Sequence, residues 1–452
     1  MSITPRTLLA CAAALFSTPL AGLHAADAPK AATPPNFVLC MTDDQGWGDV
    51  GYNADKQGRG SKVKTPNLDA MAAAGLRFDR FYSAAPVCSP TRGSCLTGRH
   101  PFRYGCFTWG YPLRPEEITI AQAVKPLGYA TGHFGKWHLN GVSGPGKPIA
   151  GDDPLSPGRF GFDEWLSVSN YFDLDWTLSR RGTPEPFKGD GSDYIVGEAL
   201  KYMRQVSRQG KPFLAVIWFG NPHVPHRALP QDVEAAGSDY YGEILAIDRA
   251  MGRLRTELRA MGLAENTLLW FCSDNGADAP GSTGGLRGGK GSVWEGGVRV
   301  PGLIEWPARI KKPSVTAVPA VTSDIYPTIL DILQHKVHNQ VEPLDGISLL
   351  PLIDGQVQQR PKPIGFWHGG GGKKAGLNKD VGAAAWTDNR YKLHKRGPET
   401  YELYDLVADA KESKDLSAEH PETVARMKSE LDAWQESVVK SYRRADYPQN
   451  RP

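Results

Sequence analysis

Four stretches of the chain share one pattern: a run of apolar, β-branched or aromatic residues that ends at once in polar ones. Residues 36–41 run into Asp43 and Asp44, residues 129–134 into Lys136 and His138, residues 213–219 into His223, and residues 267–272 into Asp274 and Asn275. Runs of this length and composition read as buried strands. Helical periodicity lies between them, over residues 65–74, opened by Thr65-Pro66 and closed by Gly75, and over residues 240–261, closed by Gly262. The alternation predicts an α/β fold with a mixed, mostly parallel sheet sandwiched by helices. In open sheets of this kind ligands bind outside the carboxyl ends of the strands, so all four polar groups are expected on one edge.

After residues 344–350 the texture changes to a Gly/Lys-rich loop over residues 369–376. Strand-like pieces follow at residues 385–393 and 401–406, then a helix from about Pro421 to Tyr442. The expected organisation is a catalytic domain over residues 34–355 and a small C-terminal α+β domain, built on an antiparallel sheet, over residues 356–452. The length of 452 residues agrees with two cores rather than one.

Charge narrows the function. Lys and Arg number 52 against 49 Asp and Glu, which leaves no basic field for nucleic acid, so anion specificity has to come from a local site. Residues 1–26 carry Arg6, a short apolar run from Thr7 to Phe16 and a small-residue end at Ala25-Ala26. That order reads as a removable secretory signal and an exported protein, periplasmic or secreted. A lipoprotein reading through Cys11 has too short an apolar segment before it, and no later stretch is apolar and long enough to span a bilayer. An oxidising compartment allows Cys40, Cys95, Cys106 and Cys272 to pair, with the connectivity open.

Asp43, Asp44, Asp274 and Asn275 offer only oxygen ligands, the chemistry of calcium or magnesium rather than zinc. Either pair alone is equally what caps a strand end or a turn; two pairs, each closing a buried strand, point to a site. The stretch from Cys88 to Arg99, CSPTRGSCLTGR, puts Pro90 where a first helical residue would sit, with Cys88 just before the helix and its free amides. Read bare, such a cysteine is also a packed core thiol.

Cys88, Pro90, Arg92, Thr97 and Gly98 match, in order and spacing, the signature of the sulfatase family, and the chain resembles that family over most of its length. Residues 42–49 (TDDQGWGD), 135–139 (GKWHL), 273–276 (SDNG) and 286–301 around Lys290 are similar to family segments. The resemblance implies an alkaline-phosphatase-like fold and a sulfuric ester hydrolase of the arylsulfatase type. In that family the signature cysteine is oxidised by a formylglycine-generating enzyme, and the hydrated aldehyde is the nucleophile. Carried over, this makes residue 88 the formylglycine, with calcium held by Asp43, Asp44, Asp274, Asn275 and an oxygen of residue 88 itself. Arg92, Lys136 and Lys290 match the cationic positions, His223 and Lys290 are candidates to protonate the leaving oxygen, and His138 to take the proton from the second hydroxyl. His226 is the alternative to His223; His100 and His133 are expected to be structural or solvated, and His368 is a further candidate to reach substrate. Trp109, Tyr111, Tyr171, Trp176 and Trp367 offer stacking surfaces for a sugar, or core. The expected substrate is a sulfated glycan or a sulfated small molecule. The rivals are a phosphatase or phosphodiesterase of the same superfamily, whose members place a histidine where Asn275 stands, and a non-catalytic glycan-binding relative never modified at Cys88.

Overall fold

The protein is described by a computed structural model over residues 1–2, 33–54, 64–370, 376–377 and 383–447. The expected signal segment and the middle of the Gly/Lys-rich loop lie outside these residues. Pro35–Pro452 form one compact unit, apart from Met1–Pro34.

A ten-stranded sheet organises the unit. Its strands are β1 (Asn36–Thr42), β2 (Leu76–Phe78), β3 (Ala130–Lys136), β4 (Glu164–Val168), β5 (Thr177–Arg180), β6 (Thr183–Pro186), β7 (Phe213–Trp218), β8 (Thr267–Ser273), β9 (Gly302–Glu305) and β10 (Ser314–Thr316). They lie in the order β10-β2-β9-β8-β1-β7-β3-β4-β5-β6. The four runs read from the sequence are the adjacent central strands β8, β1, β7 and β3, all parallel. β4 extends them in parallel, whereas β9 pairs antiparallel with β8, and β5 with β4.

Alternate residues of the central strands feed two cores. Phe37, Leu39 and Met41 join Leu214, Val216 and Trp218 on one face, under the helices Ile120–Val124 and Ile325–Ile332. Val38 and Cys40 join Phe213, Ala215 and Ile217 on the other, under the helices Gly191–Arg208 and Asp239–Ala260. Each large apolar side chain so buried contributes about 1.5–3 kcal/mol, which is why these strands are apolar on both faces.

Three local expectations are corrected. The helix over residues 65–74 was expected to be closed by Gly75; instead the helix is Pro66–Ala72, and Gly75 is required because a Cβ there would lie 2.0 Å from the Ile304 carbonyl oxygen. The signature helix begins at Cys88, with Val87 as N-cap, so Pro90 is its third residue and not its first. Proline is tolerated there because first-turn amides have no intrahelical partner to lose. The piece over 385–393 is two strands, Ala384–Thr387 and Tyr391–Lys395, because Asp388 accepts hydrogen bonds from the amides of Arg390 and Tyr391 (2.8 and 2.6 Å) and turns the chain.

Those two strands, with Ile364–Trp367 and Tyr401–Asp405, form a separate four-stranded antiparallel sheet on which the helix Pro421–Tyr442 packs through Met427, Leu431 and Trp434. The expected boundary at 355/356 lies in the loop ahead of Ile364. Among the described residues no helix is long and apolar enough to cross a membrane. The described cysteines, Cys40, Cys88, Cys95, Cys106 and Cys272, are free and buried; the pairing that export would allow is not made.

A buried ionic cluster ties the small sheet to the short helix Glu295–Val298 that follows the glycine-rich loop. Lys392 Nζ lies 2.9 Å from Glu295 Oε1 and 3.2 Å from Glu412 Oε1, and His394 Nε2 lies 2.6 Å from the same Glu412 oxygen. Removing the cation leaves two buried carboxylates facing each other. Lys392→Ala is therefore expected to lower unfolding free energy by about 3–5 kcal/mol, read as a shift of the urea midpoint.

Candidate active site

The topology delivers the predicted side chains to one edge. Asp43 and Asp44 follow β1, Asp274 and Asn275 follow β8, His223 follows β7, and Lys136 ends β3 with His138 just beyond. The edge is stitched by backbone bonds: the Asp43 amide donates to Asn221 O (3.0 Å) and the Asp274 amide to Thr42 O (3.1 Å). Asp44 and His138 adopt left-handed conformations, with φ of 64° and 54°. Such residues carry about 1–3 kcal/mol of strain each and persist where the surroundings hold them. Here the Asp44 amide donates to Asp274 Oδ1 (3.1 Å) and the His138 amide to Ser169 O (3.0 Å).

The three aspartates are buried together, each against a cation. Lys136 Nζ sits 2.5 Å from Asp43 Oδ2, Arg92 Nη2 2.7 Å from Asp274 Oδ2, and Lys290 Nζ 2.6 Å from Asp44 Oδ2. Asn275 Nδ2 donates to Asp44 Oδ1 (2.8 Å). Burial alone would raise the Asp44 carboxyl, but Lys290, His223 and Lys136 bring it down to about 2. Asp274 goes the other way: burial, then the charge of Asp43, push it up to about 7 despite Arg92 and Lys136. Asp43 Oδ1 and Asn275 Oδ1 are buried with no hydrogen-bond partner. One oxygen each of Asp43, Asp44 and Asp274 and the Cys88 Sγ lie within 4.8 Å of one another, close enough for one ion to meet them all.

Cys88 opens a helix whose ten residues are all buried. Burial pushes its thiol well above the ordinary cysteine value. The Thr97-Gly98 end of the signature is a C-cap: Gly98 takes φ 72°, against the Tyr326 ring, and its carbonyl accepts from the amides of Asp345 and Gly346 (2.9 and 3.0 Å). Arg92, four residues after Cys88, runs under the site with its guanidinium 5.1 Å from the Trp218 ring centre.

Lys290 stands in a glycine-rich loop that the sequence also allows as flexible surface. Its backbone is pinned instead: Lys290 N donates to Ala277 O (3.0 Å) and Gly291 N to Pro86 O (2.9 Å), next to the Cys88 helix. A Cβ on Gly276 would lie 1.9 Å from Gly296 O, so the loop closes on itself only with glycine there. Burial would lower the Lys290 pKa, but Cys88, Asp44 and Asp43 beside it raise it, so the ammonium stays charged.

The histidines separate by environment. His223 Nε2 lies 3.8 Å from Asp44 Oδ2 and its Nδ1 donates to Val224 O (2.5 Å); burial, then Lys136, lower it to about 4. His138 is buried with neither ring nitrogen bonded, and burial followed by Lys136 and Arg92 take it well below its usual range. His226 turns to Glu243 (3.5 Å). His133 is core, held by Ser167 (2.7 Å) between Trp137 and Trp218, and His100 packs on Phe102 and Trp434. His368 sits at the end of Ile364–Trp367, with no hydrogen bond or ion pair to the cluster among the described residues. Trp367 is core of the small sheet and Tyr111 packs against it, whereas Trp109 is 44% exposed and its neighbour Gly110 donates to Ser89 Oγ (2.9 Å), beside Cys88. Unforeseen was the stacking of Tyr171 on His223, with ring centres 4.6 Å apart; no signal in the sequence links the two loops. A cavity of about 700 Å³, lined by Tyr129, Tyr202 and Lys211, opens at the opposite, amino end of β3 and β4 and touches none of these residues.

An anion-directed cluster of carboxylates and cations at the carboxyl edge of a doubly covered sheet defines a hydrolase for a charged ester. The family model for sulfatases matches residues 35–335, and that for the C-terminal part of N-sulphoglucosamine sulphohydrolase residues 289–437. The chain belongs to the sulfatase family and is a sulfuric ester hydrolase with the alkaline-phosphatase-like fold. It is 33% identical to N-acetylgalactosamine-6-sulfatase of Mus musculus, over 78% of this chain and 73% of that one. It is 34% identical to arylsulfatase A of Homo sapiens, over 74% and 71%. Among solved structures it is similar to Ps i-CgsB in complex with k-i-k-neocarrahexaose, with 25% identity, a TM-score of 0.78, and coverage of 92% and 98%.

Asp274 sets a pH dependence. Its folded pKa of about 7 lies above its ordinary 3.8, so its contribution to stability is complete below about pH 4 and is lost as pH rises toward 7. A divalent cation held by Asp274 would compete with that proton. Added Ca²⁺ is therefore expected to raise Tm more at pH 8 than at pH 5 by thermal unfolding, and Asp274→Asn to reduce that pH difference.

Proposed function

We propose that this sulfatase cleaves sulfate monoesters of a glycan, with residue 88 as formylglycine and calcium held by Asp43, Asp44, Asp274, Asn275 and residue 88. The observation that carries the reading is the convergence of Asp43, Asp44, Asp274 and Cys88 within 4.8 Å, ringed by Arg92, Lys136 and Lys290. Apart from residue 88 the donors are oxygens, and Asp43 Oδ1 and Asn275 Oδ1, buried without a hydrogen bond, suit a hard cation, although Arg92 Nη2 lies 3.6 Å from the former. A thiol held protonated by burial is a poor nucleophile, which favours its replacement by formylglycine. Cys88 is 1% exposed, so the formylglycine-generating enzyme has to act before the chain folds. When bound, calcium supplies Lewis-acid polarisation, and formylglycine supplies a hydrated aldehyde as nucleophile.

The chain's own residues do the rest. Arg92, Lys136 and Lys290 hold fixed positive charge where negative charge grows on the sulfate oxygens, and so favour the transition state over the ground state. His223 gives a proton from Nε2 to the leaving oxygen, its Nδ1 being committed to Val224 O; a bound sulfate anion opposes the burial and the Lys136 charge that otherwise keep the ring neutral. Lys290, charged on Asp44, is the second candidate. His138, with both nitrogens unengaged, is placed to accept a proton from a hydroxyl that a modified residue 88 would carry. Asn275, donating to Asp44, stands where phosphatase relatives place a histidine, which disfavours that reading.

A glycan substrate is supported by the relatives, a sulfatase for N-acetylgalactosamine-6-sulfate by name and a structure solved with neocarrahexaose, and by exposed aromatic surface at Trp109. The signal-like residues 1–26 support export to where such glycans lie.

In enzyme co-produced with a formylglycine-generating enzyme, Cys88→Ala is expected to abolish turnover, by at least about a thousandfold, with an unchanged circular dichroism melt. Full activity in that variant ends the nucleophile assignment. Chelation is expected to remove activity that Ca²⁺ restores and Zn²⁺ does not. His223→Ala is expected to lose about 10²–10⁴-fold on phenyl sulfate and far less on 4-nitrophenyl sulfate, whose leaving group needs no proton.

A further inference from the structure

Tyr171 belongs to the loop that follows β4, two strands away from β7, and reaches His223 across the carboxyl edge. Its ring lies nearly parallel to the imidazole, at 14° and 4.6 Å between centres. The tyrosine is itself held. Its carbonyl accepts from Gly146 N (2.9 Å), its ring abuts Trp176 at 6.5 Å, and the Trp176 indole donates to Gly146 O (3.0 Å). The loop is further tied where Lys147 N donates to Ser169 Oγ (2.8 Å) and His138 N to Ser169 O (3.0 Å). Among the described residues the His223 ring makes one hydrogen bond, from Nδ1 to the carbonyl of its own neighbour Val224, beside the longer 3.8 Å approach of Nε2 to Asp44. A single hydrogen bond leaves a ring free to swing about the donor direction; a face-to-face contact with a fixed aromatic removes that freedom.

We propose that Tyr171 is a positioning residue for the sulfatase reaction: by stacking on His223 it fixes the plane of the imidazole, so that Nε2, 3.8 Å from Asp44, faces the departing oxygen of the substrate. The inference rests on the reading of His223 as proton donor. Because proton transfer is steep in distance and angle, a loosened ring loses rate while substrate binding is kept. The face of the ring matters and the phenolic hydroxyl does not.

The test measures kcat and KM of the mature, calcium-loaded enzyme on phenyl sulfate and 4-nitrophenyl sulfate. Tyr171→Leu is expected to lower kcat on phenyl sulfate by roughly tenfold or more, with KM within about threefold, and to affect 4-nitrophenyl sulfate much less. Tyr171→Phe is expected to recover most of the loss, and in a His223→Ala background Tyr171→Leu is expected to add nothing. Two results overturn the proposal while leaving His223 as the acid: a Phe variant as impaired as Leu, or a Leu effect that persists undiminished without His223. If His223→Ala by itself slows both substrates equally, the donor assignment fails, and the role of Tyr171 fails with it.

Discussion

Everything at this site follows from burying three aspartates within a few ångströms of one another. Isolated buried carboxylates are prohibitively costly, and three together more so. The fold meets the cost with three cations drawn from different elements: Arg92 from the signature helix, Lys136 from β3, Lys290 from the glycine-rich loop. The compensation is uneven, since Asp44 is held ionised while Asp274 remains close to protonation. That residual frustration is of the kind the proposed divalent cation would relieve, and the same charge arrangement suits the proposed binding of a sulfate anion.

Such a cluster works only on a rigid frame. The central strands are packed on both faces, their ends carry Asp43, Lys136 and Asp274, and backbone bonds between Asp43 and Asn221 and between Asp274 and Thr42 lock neighbouring ends together. The glycine-rich loop contributes in the same way, its glycines permitting carbonyls to approach where any side chain would collide. Lys290 is thereby presented from a fixed backbone, tied through Gly291 to Pro86 just ahead of Cys88.

Much of this was legible beforehand because it is local. Apolar runs ending in Asp-Asp, Lys-x-His and Asp-Asn report the strands directly, and their recurrence at several strand ends, not any one of them, reports a site. The antiparallel strands flanking the parallel centre were not legible: Gly302–Glu305 and Thr177–Arg180 are short, and their partners are chosen by tertiary packing. The turn at Asp388 was missed because alternating residues run on through it, and the helix start at Cys88 because a proline two residues later is also a good first helical residue.

The sequence by itself determined the α/β class, the order of the central strands' polar endings, the oxygen-only donor set and the membership of Cys88 in a sulfatase signature, because each is encoded in neighbouring residues. Only the tertiary structure decided which cation faces which carboxylate, that Cys88 is buried, and that Tyr171 stacks on His223 rather than His226. Those facts depend on strand order and loop closure, which bring residues far apart in the chain to within a few ångströms, and no local pattern carries that information.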